Sequence, residues 1–339
     1  MIKLLVYLAV VLALILVFQL IRIYQLSAEL KGKHVGKADD SNNRSQGLLM
    51  LLFAFAFFAC LIWLLFDVRG KMLPPAASDV GETSDNVFLF NWVIIFIVFF
   101  ITTFLLFYFG FRYKKQKNTK AYFYPHNDKL ELIWTVVPSI ALAVIIIYGL
   151  SLWAKMTGTP DPKAMVIQLY AKQFDWTVRY AGDDNVLGKT DYRLIDDASN
   201  NTVGMDSTDA SGWDDIMVKG EFHIPVNTPI VFKCNAREVM HGAYFPHFRE
   251  QINCVPGITT DMHFTATITT DSMRKITHDT AFDYILLCNR VCGSGHYNMP
   301  MKVVVDSPDE FKKWMAKQHP FFTHLYDMHH KQAVATAMK

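Results

Sequence analysis

Four stretches of the chain carry almost no charge. Residues 4–24 are uncharged up to Arg22, apart from the flanking Lys3, and residues 48–66, 87–111 and 132–154 hold no charged side chain. Each run is about 19–25 residues, enough at about 1.5 Å per residue to cross a hydrocarbon layer about 30 Å thick. Backbone groups find no water at that depth, so each run must satisfy itself as a helix. The pattern predicts four transmembrane helices. After residue 164 the period changes. Short β-branched and aromatic runs at 165–169, 174–180, 216–224, 229–234, 258–269, 284–288 and 302–305 alternate with turn residues such as Pro225, Asn227, Pro256 and Gly257. Such punctuation predicts an all-β sandwich or barrel. Ser307, Pro308 and Glu310 then read as the cap and first turn of a helix running to about Lys317. The tail beyond, with His319, His324, His329 and His330, reads as a frayed terminus rather than a metal tract.

Composition agrees. The 339 residues include 33 Lys and Arg against 31 Asp and Glu, a net charge of +2. Charged residues make up 19%, below the roughly 25% of soluble chains, which is what four apolar spans require. High aromatic content argues against disorder, five cysteines against a disulfide scaffold, and near-neutral charge against a nucleic-acid partner. Loop charges set the orientation. Lys31, Lys33, Lys37 and Arg44 follow the first span; Arg112, Lys114, Lys115, Lys117, Lys120 and Lys129 follow the third; the intervening loop offers only Arg69 and Lys71 among acids. Positive loops stay cytoplasmic, so the region after about residue 156 lies outside. The first span outruns a signal peptide's apolar core and lacks its cleavage site, so it reads as a retained helix. Cys60 sits mid-span, with apolar residues continuing to Phe66. The expected divisions are an N-terminal span with its loop (1–47), a second span with an external loop (48–87), a helical hairpin (88–156), the external β domain (157–306) and a C-terminal helix and tail (307–339). Residues 182–215 carry nine Asp against Lys189 and Arg193. They read as a solvated loop or, alternatively, as a surface steering a basic partner.

One segment concentrates soft donors. Cys288, Cys292, His296 and Met299 fall within twelve residues, and His241 lies upstream. Two cysteines alone fit a disulfide, a zinc site or inert thiols. The thioether argues against zinc, which takes Cys, His and carboxylates, and for copper. A mononuclear blue-copper centre needs only one Cys. Two thiolates can bridge two copper ions, with one His on each and Met as a weak outer ligand.

The segment resembles the dinuclear copper (CuA) loop of subunit II of the haem–copper cytochrome c oxidases, C-x-E-x-C-x3-H-x2-M. The resemblance covers about residues 88–306. It implies a two-helix hairpin followed by a cupredoxin-like Greek-key sandwich, two copper ions, and ligands at His241, Cys288, the backbone carbonyl of Arg290, Cys292, His296 and Met299. It implies a partner subunit I carrying haem, other oxidase subunits, and a c-type cytochrome as electron donor. The E-x-x-W-T-x-x-P pattern recurs at Glu131, Trp134, Thr135 and Pro138, implying that Glu131 takes up protons at the cytoplasmic mouth of a channel; a helix-dipole role is the plainer alternative. Gln173, Phe174, Trp176 and Tyr180 are similar to the family's aromatic strand, implying electron input through Phe174, which replaces a Trp, or through Trp176; core packing is the alternative.

Some positions depart from the family. Glu238 replaces an Asp, Asn253 an Asp, and Ile258 an Arg. Arg290 replaces the Glu whose side chain reaches an interface magnesium, and Arg cannot ligate a cation. Cys234 and Cys254 match no ligand position and read as buried thiols, a mutual disulfide being open outside the cytoplasm. His223, His247 and His263 fit no copper spacing and read as structural. No C-x-x-C-H occurs, so no haem c is fused to the chain. The resulting expectation is the copper-bearing subunit of a respiratory oxidase in a bacterial inner membrane, multi-pass, with its copper domain in the periplasm. A copper-free quinol oxidase subunit, a membrane-tethered copper carrier and an unrelated copper or zinc domain are the alternatives.

Overall fold

The computed structural model describes residues 2–30, 40–116 and 119–327. Lys31, Lys33, Lys37, Lys117, His329 and His330 lie outside the described residues. Four long helices come first: α1 (Ile2–Leu30), α2 (Asp40–Asp67), α3 (Gly81–Arg112) and α4 (Asp128–Thr157). All four are long and apolar enough to cross a membrane. From Val11 onward their large apolar side chains are mostly exposed, the arrangement a lipid solvent favours. The chain is a membrane protein.

Ten strands follow in two five-stranded sheets. The first has the order β3 (Ile216–Lys219), β2 (Asp175–Tyr180), β1 (Met165–Lys172), β5 (Pro229–Ala236) and β8 (Thr260–Thr265). The second has β4 (Glu221–Pro225), β10 (Met301–Asp306), β9 (Tyr284–Cys288), β6 (His241–Phe245) and β7 (Glu250–Cys254). Pairing is antiparallel except β1 with β5 and β4 with β10. This is the expected cupredoxin-like sandwich. Alternating residues of each strand point inward, and Phe222, Phe232, Phe245, Phe248 and Phe264 pack as one aromatic core, the Phe248 and Phe264 rings 4.8 Å apart.

Three expectations need correction. The run 216–224 is two strands in different sheets, because Gly220 between them takes a φ of +82° that breaks the extended backbone. Strands β6 and β7 and the helix α5 (Thr270–Thr277) were not foreseen, polar residues interrupting β7, and the expected run 258–269 is strand only over β8. The tail is ordered past Lys317. The capping box at Ser307 and Glu310 starts α6 (Pro308–Met315), and beyond it the Phe321 amide donates to the Asp215 carbonyl at 2.8 Å.

The segment before α3, expected as an external loop, belongs to the sandwich. Ala77 and Val80 sit in its core. The Ala77 amide donates to the His247 carbonyl at 2.8 Å, and the Ser78 hydroxyl to that of Phe248 at 2.6 Å. Arg249 pairs with Asp85 at 2.8 Å and donates to the Pro74 carbonyl at 2.6 Å. The acidic segment is also folded rather than a free loop. Arg179 and Asp215 form a buried pair at 2.6 Å, and the Arg179 guanidinium donates to Gly188 and Gln168 as well. Several of its carboxylates, including Asp184, Asp191, Asp196 and Asp206, accept backbone amides of their own turns.

Glu250 is buried beside this stitched segment. Burial, reinforced by the charge of Asp79, pushes its carboxyl up from 4.5 to about 8. The folded chain therefore keeps a proton that the unfolded chain releases. The stability from neutral Glu250 is complete below pH 4.5 and is lost as pH rises towards 8. Relative to Glu250→Gln, which stays neutral, the wild type should lose up to about 1.4 kcal/mol per pH unit across that window in urea unfolding. Parallel curves would show that the folded carboxyl is charged.

Candidate metal centre

The centre is built where two loops meet, one leading into β6 and one joining β9 to β10. His241 opens β6, Cys288 closes β9, and the nine-residue run 292–300 returns the chain to β10. Antiparallel pairing sets Ala243 opposite Cys288, which brings the His241 imidazole over the end of β9. The loop then turns twice. The His296 amide donates to the Gly293 carbonyl at 3.2 Å and the Asn298 amide to that of Gly295 at 2.9 Å, swinging His296 and Met299 back toward Cys292.

The result is a compact donor set. The Cys288 and Cys292 sulfurs are 3.9 Å apart. His241 Nδ1 lies 3.8 Å from the Cys288 sulfur, and His296 Nδ1 lies 3.7 Å from that of Cys292. The Met299 sulfur is 3.6 Å from Cys292, and the Arg290 carbonyl 3.2 Å from Cys288. All five side chains and the carbonyl that were singled out in the sequence converge. His241, Cys292 and Met299 are buried, while Cys288 and His296 are partly exposed. Burial lowers the His241 pKa, against the raising charge of Glu238, and His296 lowers it further. Burial and the neighbouring Cys288 push the Cys292 thiol up to about 11. A neutral imidazole is ready to ligate, whereas the thiol gives up its proton only when a cation replaces it.

Metal–thiolate bonds are about 2.3 Å, so two of them span up to about 4.6 Å. Sulfurs 3.9 Å apart can therefore share an ion. Thiolates, imidazoles and a thioether together suit copper better than zinc or magnesium.

Residues of the first sheet brace this loop. The Trp176 indole donates to the Met299 carbonyl at 2.8 Å and lies against His241, ring centres 6.2 Å apart. Gln173 donates through its side chain to the Cys292 carbonyl at 2.6 Å and through its amide to Glu238 at 3.2 Å. Phe174, half-buried, covers Gly293 and Gly295. Of the two aromatics, only Phe174 reaches the surface; Trp176 is wholly buried. Gln173, Glu238 and the two glycines had no assigned task in the sequence, and the Gly-Ser-Gly between Cys292 and His296 was the available signal. The decoy histidines pack elsewhere: His223 bonds Asp306 at 2.6 Å, His247 stands edge-on to Phe282 and Tyr284, and His263 meets the Lys155 carbonyl. His319 and His324 join no metal cluster among the described residues. Glu131 is exposed on the first turn of α4. The Arg290 side chain, also exposed, offers only donors and does not fit the magnesium that the resemblance implied.

Comparison with known proteins places the chain. The model of the cytochrome c oxidase subunit II transmembrane domain matches residues 69–152. An alternative cytochrome c oxidase subunit 2 from Bradyrhizobium diazoefficiens is 29% identical over 248 residues, covering 73% of this chain and 84% of the relative. The cytochrome c oxidase subunit 2 of Thermostichus vulcanus is 25% identical over 297 residues, covering 78% and 86%. The helical hairpin and most of the rest of the chain are thus similar to cytochrome c oxidase subunit II. A solved periplasmic domain of subunit II of cytochrome oxidase from Bradyrhizobium japonicum is 23% identical, covering 47% of this chain and 94% of that one, with a TM-score of 0.30. These relatives are named as a subunit of an oxidoreductase complex, and their family implies copper.

Gly293 takes a φ of +142°, and a Cβ there would come within 2.8 Å of both Gln173 and Phe174. Gly293→Ala should therefore displace the brace on Cys292 and weaken copper retention at least tenfold in a chelator competition. Unchanged retention would show that the loop keeps its shape without the brace.

Proposed function

We propose that this subunit II receives electrons from a c-type cytochrome and delivers them to a haem of subunit I. Subunit I then reduces dioxygen to water and translocates protons. In this reading His241, Cys288, the Arg290 carbonyl, Cys292, His296 and Met299 would hold two copper ions. Such a pair supplies one-electron storage with little nuclear rearrangement. The observation that carries the reading is the donor count: six donors converge, with each imidazole beside a different sulfur, whereas one tetrahedral ion needs four.

The chain's own residues have distinct tasks. Trp176 holds the Met299 carbonyl, Gln173 holds that of Cys292, and both limit movement of the ligands. Phe174 offers the surface-side aromatic step toward the loop, and Trp176 a buried one. Glu131, at the cytoplasmic end of α4, collects protons for the partner. The β domain faces the periplasm of a bacterial inner membrane, as the loop charges require.

Copper analysis of the purified chain should give two ions that resist chelators, with an unpaired spin shared over two nuclei. His241→Ala should localise that spin. One labile ion in the wild type would favour a copper carrier, and none would favour a quinol oxidase subunit. In the assembled oxidase, Glu131→Gln should slow turnover several-fold and leave the copper spectrum unchanged. Unaltered turnover and proton uptake would remove Glu131 from the proton path.

A further inference from the structure

Two cysteines of the β domain take no part in the metal centre. Cys234 on β5 and Cys254 at the end of β7 are wholly buried in the core, on strands of different sheets. Ala236 and Pro256 form a parallel bridge where those strands approach. Cys234 and Cys254 each lie two residues before that bridge. Thr260 ties the two backbones together: its hydroxyl lies 2.7 Å from the Asn253 carbonyl and 3.4 Å from that of Cys234. The two thiols lie close enough to influence each other.

We propose that Cys234 and Cys254 are joined by a disulfide that staples the two sheets beneath the metal centre. The proposal rests on the external location of the β domain given above. The oxidant is a disulfide-bearing protein of that compartment. One cysteine thiolate attacks its disulfide, and the second resolves the mixed disulfide. The Cys234–Cys254 bond forms, and the oxidant leaves as a dithiol with the two electrons and two protons. The folded domain shields both residues, so the bond closes before the sheets do and no reductant reaches it afterwards. Cys288 is partly exposed, so a reductant that keeps the ligand thiols free leaves the buried bond intact. The exposure of Cys288 thus sets the ligand pair apart from the wholly buried Cys234 and Cys254. Because Cys254 is the strand partner of His241, the staple also pins the strand that carries a ligand.

The full chain, purified from membranes, tests this directly. Its copper spectrum is recorded, and the chain is then denatured in N-ethylmaleimide without reductant and digested for mass spectrometry. The expected product is a peptide pair joined through Cys234 and Cys254, two hydrogens lighter than the sum of its parts and separable by reduction. Alkylated Cys234 and Cys254 would overturn the proposal whatever the copper spectrum, as would a cross-link from either to Cys288 or Cys292. A joined pair in a chain without the dinuclear copper spectrum would support the staple and count against the reading of the metal centre.

Discussion

The loop between β9 and β10 must hold two sulfurs 3.9 Å apart without letting them bond to each other. That distance is nearly twice a disulfide bond, which is about 2.05 Å, and a short loop keeps it only if something outside the loop fixes its carbonyls. The first sheet provides this. The hairpin of β1 and β2 sends Gln173 to the Cys292 carbonyl and Trp176 to that of Met299. Both bonds are made where the loop would otherwise be free to flex, and Phe174 fills the space that Gly293 and Gly295 leave. The ligand geometry is therefore a property of the whole sandwich. The gain is rigidity, since donors already in place reorganise little.

The same economy governs how the domain is fastened to its helices. Asp79, Asp85 and the 74–80 backbone engage β7, β8 and the turn before β7. Lys155 near the end of α4 meets Asp79 and His263. The start of α3 and the end of α4 thus grip neighbouring parts of the sandwich. Arg249 is central here, because its guanidinium satisfies a carboxylate and two carbonyls at once, the planar geometry for which Arg is suited and Lys is not.

The acidic segment shows how little a count of charges reveals by itself. Nine aspartates suggested a negative surface. Many of them are engaged by amide donors of their own turns, Asp215 is buried against Arg179, and Asp197 is paired with Lys172 and Arg237. Carboxylates that organise local backbone are partly neutralised by it.

The four helices were legible from the sequence because a hydrocarbon solvent imposes a single length and polarity on anything that crosses it. The candidate donor set was legible because its spacing lies within one loop, apart from His241, whose place came from resemblance to a family. Strand β7 was not, since Glu250, Gln251 and Asn253 interrupt the alternation that local pattern reading depends on. Those residues are accommodated by contacts with distant segments, such as the buried side of Glu250 near Asp79. Nor did any local feature reveal that residues 74–85 belong to the β domain, or that Gln173 and Trp176 support the loop. Partners such as Gln173 and Cys292 lie more than a hundred residues apart. Periodicity and motif spacing are properties of neighbours along the chain, whereas bracing and burial are decided by which distant surfaces the folded sheets bring together.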